Sequence, residues 1–282
     1  MREWQATWLL VGVTAVWGWT FTLVRDAVAA WGVMGFLALR FAIAAAAVTA
    51  LWGWRLRRDA LAPGAGLGAV LAAGYLLQTW GLRYTTPTNS GLITGLFVVI
   101  APLLDRALHG TAVPRTTRWA VGLSFAGTAA LSGTGTAPLN LGDLLTLGCA
   151  AAFGLHIALL ARHAPRHDPQ ALTVGQMLTC AALFLAAWPA TEPVGPPPRT
   201  VWFALALTGL VASALAFFVQ TAVQRHLSAA RTAVILTMEP VFAAAFGHLL
   251  AGDRLVPTQL AGGAAIVAAL YLAQRPPRTT AA

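Results

Sequence analysis

The chain has 282 residues, 58% hydrophobic and only 10% charged, with a mean hydropathy of +0.70. Soluble domains carry roughly 25% charged residues, and a chain this apolar would present large greasy patches to water, so the medium it folds in is lipid. The net charge of +9 comes from arginine alone, with no lysine present, and the arginines stand one to three at a time between apolar runs, which excludes the basic patch of a nucleic-acid-binding protein.

A helix needs roughly 20 apolar residues to cross the hydrocarbon. Ten runs qualify: 6–24, 32–52, 66–83, 86–108, 117–134, 142–161, 170–189, 200–221, 228–250 and 258–273. The fold expected is therefore an all-α polytopic membrane protein with ten transmembrane helices. Met1–Trp19 imitates a signal peptide but shows no small-residue cleavage site before Arg25–Asp26, so it reads as a retained first span. That span carries Trp17 and Thr20 on one face; Trp17 suits stacking on a substrate or gating a cavity. Arg40, inside the second span, suits snorkelling to the interface, or pairing with Glu239 or a substrate carboxylate. The third span brings Tyr75 and, one turn on, Gln78.

In the fourth span Ser90, Thr94, Phe97 and Ala101 share a helical face that runs into Pro102. Ser228, Thr232, Ile235 and Glu239 repeat the pattern in the ninth span and run into Pro240. A proline removes a backbone bond and kinks the helix, and interruptions at matching places in two halves point to a binding site. Close packing through Gly91 and Gly95 explains the small polar residues equally well. Asp105 with Arg106, and Asp253 with Arg254, read as solvated charges at helix ends; His163 and His167 fall in a connecting loop. His156 lies mid-span in the sixth helix, suited to a helix–helix hydrogen bond or to carrying protons. Cys149 and Cys180 are isolated in apolar runs and have no metal or disulfide spacing, so no cofactor and no metal is expected. Gln220 in the eighth span is the counterpart of Gln78. Glu239, near mid-depth of the ninth span, is costly there unless paired or wet; it suits accepting a proton or binding a substrate ammonium.

With the N-terminus inside, 13 arginines fall on inner segments and four on outer ones. This bias places both termini in the cytoplasm, and the membrane expected is the plasma (inner) membrane.

The halves echo each other. Trp17-Gly18 matches Phe153-Gly154 at an offset of 136, Gln78-Thr79 matches Gln220-Thr221 at 142, and Ser90 and Pro102 match Ser228 and Pro240 at 138. Thr20 and Ala101 fall opposite His156 and Glu239. An ancestral duplication follows, with halves at 1–135 and 136–282. Five spans per half makes the second enter from the opposite face, giving inverted repeats around a shared cavity.

In these residues the chain resembles the drug/metabolite transporter superfamily, EamA type, over essentially its whole length. The resemblance is carried by Trp17-Gly18, Leu39-Arg40-Phe41, Gly81-Leu82-Arg83-Tyr84-Thr85, Ser90 through Pro102, Glu239-Pro240 and Gly252-Asp253. It departs where the family commonly has Gly-Glu in place of Gly252-Asp253, and at Asp105, usually apolar. The resemblance implies ten helices, a central cavity and export of small metabolites, often amino acids.

The function expected is a secondary active or facilitative transporter working by alternating access. Its partners would be a small-molecule substrate, the lipid bilayer and protons as candidate coupling ion, with no nucleic acid, in a monomer or homodimer. The alternatives are a drug or toxic-compound efflux permease of the same fold, a membrane-embedded enzyme, and a structural subunit. An enzyme would need clustered acids, a histidine-rich metal site or a serine beside a histidine, which the spacing does not offer.

Overall fold

The computed structural model describes residues 2–131, 140–251 and 256–274, and all regular structure among them is helical. In chain order the helices are α1 (Glu3–Trp31), α2 (Val33–Trp52), α3 (Arg58–Gly81), α4 (Pro87–Thr94), α5 (Phe97–His109), α6 (Arg115–Leu131), α7 (Leu141–His163), α8 (Pro169–Thr191), α9 (Trp202–Ala206), a π-helical stretch (Leu207–Leu215), α10 (Ala216–Val223), α11 (Ala229–Leu236), α12 (Met238–Ala251) and α13 (Pro257–Gln274). Among the described residues, eight helical stretches are long and apolar enough to cross a membrane, from Glu3–Trp31 to Ala229–Phe246. The chain is thus a multi-pass helical membrane protein. The expected boundary between the halves, the end of the fifth expected span, Gly252-Asp253-Arg254, Arg275 and Arg278 lie outside the described residues.

Local sequence fixes several helix ends. Asn140 and Asp143 form a reciprocal cap on α7: Asp143 N donates to Asn140 Oδ1 at 3.0 Å and Asn140 N to Asp143 Oδ2 at 3.1 Å. Asp168 accepts from Gln170 N at 2.8 Å, ahead of Pro169 at the first position of α8. Ser228 caps α11 by accepting from Arg231 N at 3.3 Å. It is exposed, so it leaves the polar stripe read from the sequence and serves the backbone instead. The first span is longer than expected. Arg25 and Asp26 pair with each other at 3.0 Å on an exposed face, so these charges do not interrupt α1.

The connection after α8 holds the start of α2. The carboxylate of Glu192 accepts from Val33 N and Met34 N at 3.0 Å and from Gly35 N at 3.3 Å. It thereby satisfies the free amides at the start of α2. Gly32, just before them, has φ +118, and a Cβ there would meet the Glu192 carboxylate at 2.6 Å.

The helices pair as α1 with α12, α5 with α7, α2 with α8, α3 with α7 and α8, α6 with α13, α10 with α1, and the π-helical stretch with α2. Two apolar clusters result. One gathers Phe36, Phe41, Leu71, Met177, Phe184 and Phe217; the other gathers Leu10, Val98, Ile157, Val234 and Ile266. Trp17 and Phe153 pack against both, so the seam between the clusters runs through the middle of the bundle. The first turns of α1 are closed by the second cluster, through Ala6, Leu10 and Val11, and by Glu3, which takes both Nη groups of Arg231 at 3.1 Å.

Candidate functional site

The seam holds a cavity with about 620 Å³ of empty space, part of it continuous with the outside. Trp17 and Thr20 face it from α1, Arg40 from α2, Tyr75 and Gln78 from α3, Phe97 from α5, Phe153 and His156 from α7, Phe217 and Gln220 from α10, and Glu239 from α12. Two residues expected in its wall do not line it. Thr94 stands one layer behind, where its hydroxyl accepts from Gln78 Nε2 at 3.2 Å. Thr232 is fully buried away from the cavity, its hydroxyl without a partner among the described residues. Of the two matched stripes only Phe97 and Glu239 reach the cavity, because the helices break and change face before their prolines. The breaks fall at Gly95-Leu96, between α4 and α5, and at Thr237, between α11 and α12. Thr237 stands just ahead of Pro240, whereas Gly95 is about two turns ahead of Pro102. Each proline withholds the amide that would pair with the carbonyl four residues back, at Val98 and Leu236.

Glu239 is buried, with 6% of its surface exposed, and no side chain or backbone donor among the described residues is bonded to its carboxyl. Its backbone carbonyl lies at a close approach of α1 to α12. A Cβ added at Gly18 would meet Glu239 O, Ala243 N and Phe242 Cβ, all at 2.8 Å. The counterpart Gly154 sits likewise on α5, where a Cβ would meet Ile100 Cγ2 at 2.7 Å and Ala101 N at 3.2 Å. Only a missing side chain lets these helix backbones come so close.

Arg40 does not snorkel. It is 3% exposed, its Nε donates to Ser213 Oγ at 2.9 Å, and its guanidinium lies 4.4 Å from the centre of the Tyr75 ring. Arginine stacks on aromatic faces because its planar charge meets the ring's electron-rich face. It has no ion pair with Glu239 or with any other described carboxylate. Ser213 belongs to the π-helical stretch, and so does Ala212, whose carbonyl accepts from Trp17 Nε1 at 2.8 Å. A π turn shifts the helical register by one residue and leaves groups free to bond outward, as here to Trp17 and Arg40. The sequence gives no sign of it.

Aromatic rings wall the rest. Trp17 and Phe217 have ring centres 5.3 Å apart; Tyr75 packs edge-on against Phe41 at 5.1 Å and Phe153 at 5.3 Å. His156 donates from Nε2 to Gln176 Oε1 at 2.7 Å, while Gln176 Nε2 donates to Thr221 Oγ1 and to Leu172 O, both at 3.3 Å. This ties α7, α8 and α10 together, so the helix–helix hydrogen bond considered from sequence is present. Gln176 was not anticipated, although a glutamine inside the apolar run 170–189 is itself a signal. Gln220 Nε2 donates to Gln224 Oε1 at 3.0 Å and its Oε1 has no partner among the described residues. Gln78 and Gln220 thus both face the cavity but hold different partners.

Two expectations outside the cavity are corrected. Asp105 is not solvated: it is buried and pairs with His109 Nδ1 at 2.8 Å, one turn along α5. His163 closes α7 and His167 lies in the link to α8, both half-buried: their rings are tilted by 45° with centres 5.8 Å apart, and His167 Nδ1 donates to His163 O at 2.9 Å. No group of three or more histidine, cysteine or acidic side chains among the described residues is placed to hold a metal.

Comparison with known proteins agrees with this architecture. An uncharacterized transporter of Archaeoglobus fulgidus is 31% identical over 264 residues, 92% of this chain and 82% of its own. A solved crystal structure, described only as that of a protein, superposes with a TM-score of 0.81 over 99% of this chain and 98% of its own; at 20% identity that likeness is one of fold. The EamA-like transporter family matches residues 4–133 and 140–274. A bundle of apolar helices with a polar, aromatic-walled cavity at its centre is what a membrane carrier requires, and the chain belongs to the EamA-like transporter family.

Proposed function

We propose that the chain is a secondary transporter that exports small metabolites such as amino acids by alternating access. In this reading ten helices form two inverted five-helix halves, 1–135 and 136–282, in the plasma membrane with both termini cytoplasmic, and the chain performs no chemistry on its cargo. The observation that carries the reading is a cavity walled by both halves: α1, α2, α3 and α5 on one side, α7, α10, α11 and α12 on the other. The packing supports the inversion. Take α1 to α7, α2 to α8, α3 to α10 with its π stretch, α5 to α11 and α12, and α6 to α13. Under that exchange the α1–α12 contact becomes α7–α5, α3–α8 becomes the π stretch on α2, and α3–α7 becomes α10–α1, all of which occur. The α2–α8 and α6–α13 contacts map onto themselves. Gly18 and Gly154 carry the matching close approaches. Such symmetry lets the halves exchange conformations and so open one site to either side in turn.

Cargo recognition would fall to the aromatic wall, Arg40 and Glu239. Drive would come from the solute gradient or from protons exchanged at Glu239, since the chain has no lysine and therefore no phosphate-binding Gly-Lys loop. The test is radiotracer flux in proteoliposomes across a panel of amino acids and related solutes. The expected result is saturable uptake of at least one unmodified solute above empty liposomes; chemical conversion of the solute, or no flux across the panel, would contradict the proposal.

A further inference from the structure

We infer that Arg40 is the docking point for an oxyanion on the transported solute, so that the cavity takes molecules in which a carboxylate or similar oxyanion is joined to an apolar or aromatic body. The inference rests on the transporter reading above and adds the chemistry of the cargo.

The charge of Arg40 lacks a balance. Its guanidinium is permanently charged and buried, and no carboxylate among the described residues comes within 4.0 Å of it. The described acids other than Glu239 are committed elsewhere, to arginines, to His109 or to helix N-termini. A cation held in this way inside hydrocarbon faces a cavity or a counter-charge, and here the cavity is the open side.

The guanidinium is also fixed in orientation. Nε is spent on Ser213 and Tyr75 lies against the guanidinium, in hydrogen-bonding reach as well as over one face, while no ion pair to a described carboxylate engages the Nη edge. Two parallel N–H donors on a planar cation match the two oxygens of a carboxylate or the edge of a phosphonate, and such charge-assisted pairs are about twice as strong as neutral ones. Away from Arg40 the walls combine the rings of Trp17, Phe97, Phe153 and Phe217 with polar groups, of which the charged one, Glu239, is an acid. These suit an apolar body and reward no second anion.

Ring-matched probes test this: 3-phenylpropionate, 2-phenylethylphosphonate and the neutral isostere 3-phenylpropanamide, each titrated against the purified full chain in detergent. Either oxyanion should bind about tenfold or more tightly than the amide. Arg40→Gln should erase that preference without weakening the amide, and Arg40→Lys, which keeps the charge but loses the planar fork, should retain part of it. Ser213→Ala, which leaves the charge in place and frees its orientation, should reduce the preference even if Arg40→Gln fails to fold. Equal affinity for acid and amide in the unaltered protein, no binding of any probe, or an equal loss for all three in Arg40→Gln would overturn the inference. Flux measured on the same preparation separates the two readings: binding preference without flux of any solute removes the transporter and leaves the anion site.

Discussion

Glu239→Gln is expected to bring flux down to the level of empty liposomes, or to leave a residual flux that no longer responds to pH, while the protein stays folded. The reasoning starts from cost. A carboxylate near the middle of a membrane helix costs about 3 kcal/mol on insertion scales unless paired or wet. Glu239 has no partner among the described residues and borders the cavity, so nothing in the packing accounts for it. Glutamine keeps the shape and the hydrogen-bonding capacity but neither ionises nor pairs with a cation. Removing an uncompensated acid should therefore leave thermal stability in detergent unchanged or raised, while function falls. Flux at several external pH values, with an unfolding curve beside it, measures both. Unaltered flux and an unaltered pH profile would take Glu239 out of the mechanism.

Gly18→Ala should be nearly as damaging for a different reason. A methyl group there would stand 2.8 Å from the backbone of Glu239 and Ala243 and from Phe242 Cβ, atoms that cannot swing aside. Either α1 and α12 part, or the whole pair shifts, at a cost of about 1–3 kcal/mol for overpacking. The parting would occur at Glu239 itself, so flux should drop along with stability. Gly12→Ala provides the comparison on the same helix, since a Cβ at Gly12 meets nothing within 4 Å. That change should be neutral or stabilising by up to about 1 kcal/mol through helix propensity. Thermal unfolding of the two variants side by side distinguishes a packing effect from a general intolerance of α1.

Much of this was legible beforehand because lipid restricts what a polar residue can do. Gln78, Gln220 and Glu239 stand in apolar runs, and a polar group there must face a cavity or a neighbouring helix. Their positions at the cavity follow from that constraint. Arg40 was ambiguous for a physical reason: its long stem reaches the interface or the interior equally well, and only the neighbours decide. Ser228 misled because one residue type serves both a helix cap and a polar stripe, and periodicity alone does not separate the two. Thr232 followed the stripe into the packing because α11 ends at Thr237, short of the proline that draws the eye. Asp105 gained its partner, His109, by ordinary helical spacing, which a reading centred on topology passed over. The π-helical stretch left no trace in sequence, since its residues favour any helix; it is matched instead to what it bonds, Trp17 and Arg40.

The central claim is that one cavity opens alternately, with the α1–α11 end shut in the conformation described here. Glu3 and Arg231, joined at 3.1 Å across that end, provide the handle. In a background without Cys149 and Cys180, cysteines at both positions joined by a short reducible cross-linker should abolish solute flux, and reduction should restore it. Full flux through the cross-linked protein would contradict the account, because a carrier that never opens at that end cannot be moving its solute by alternating access.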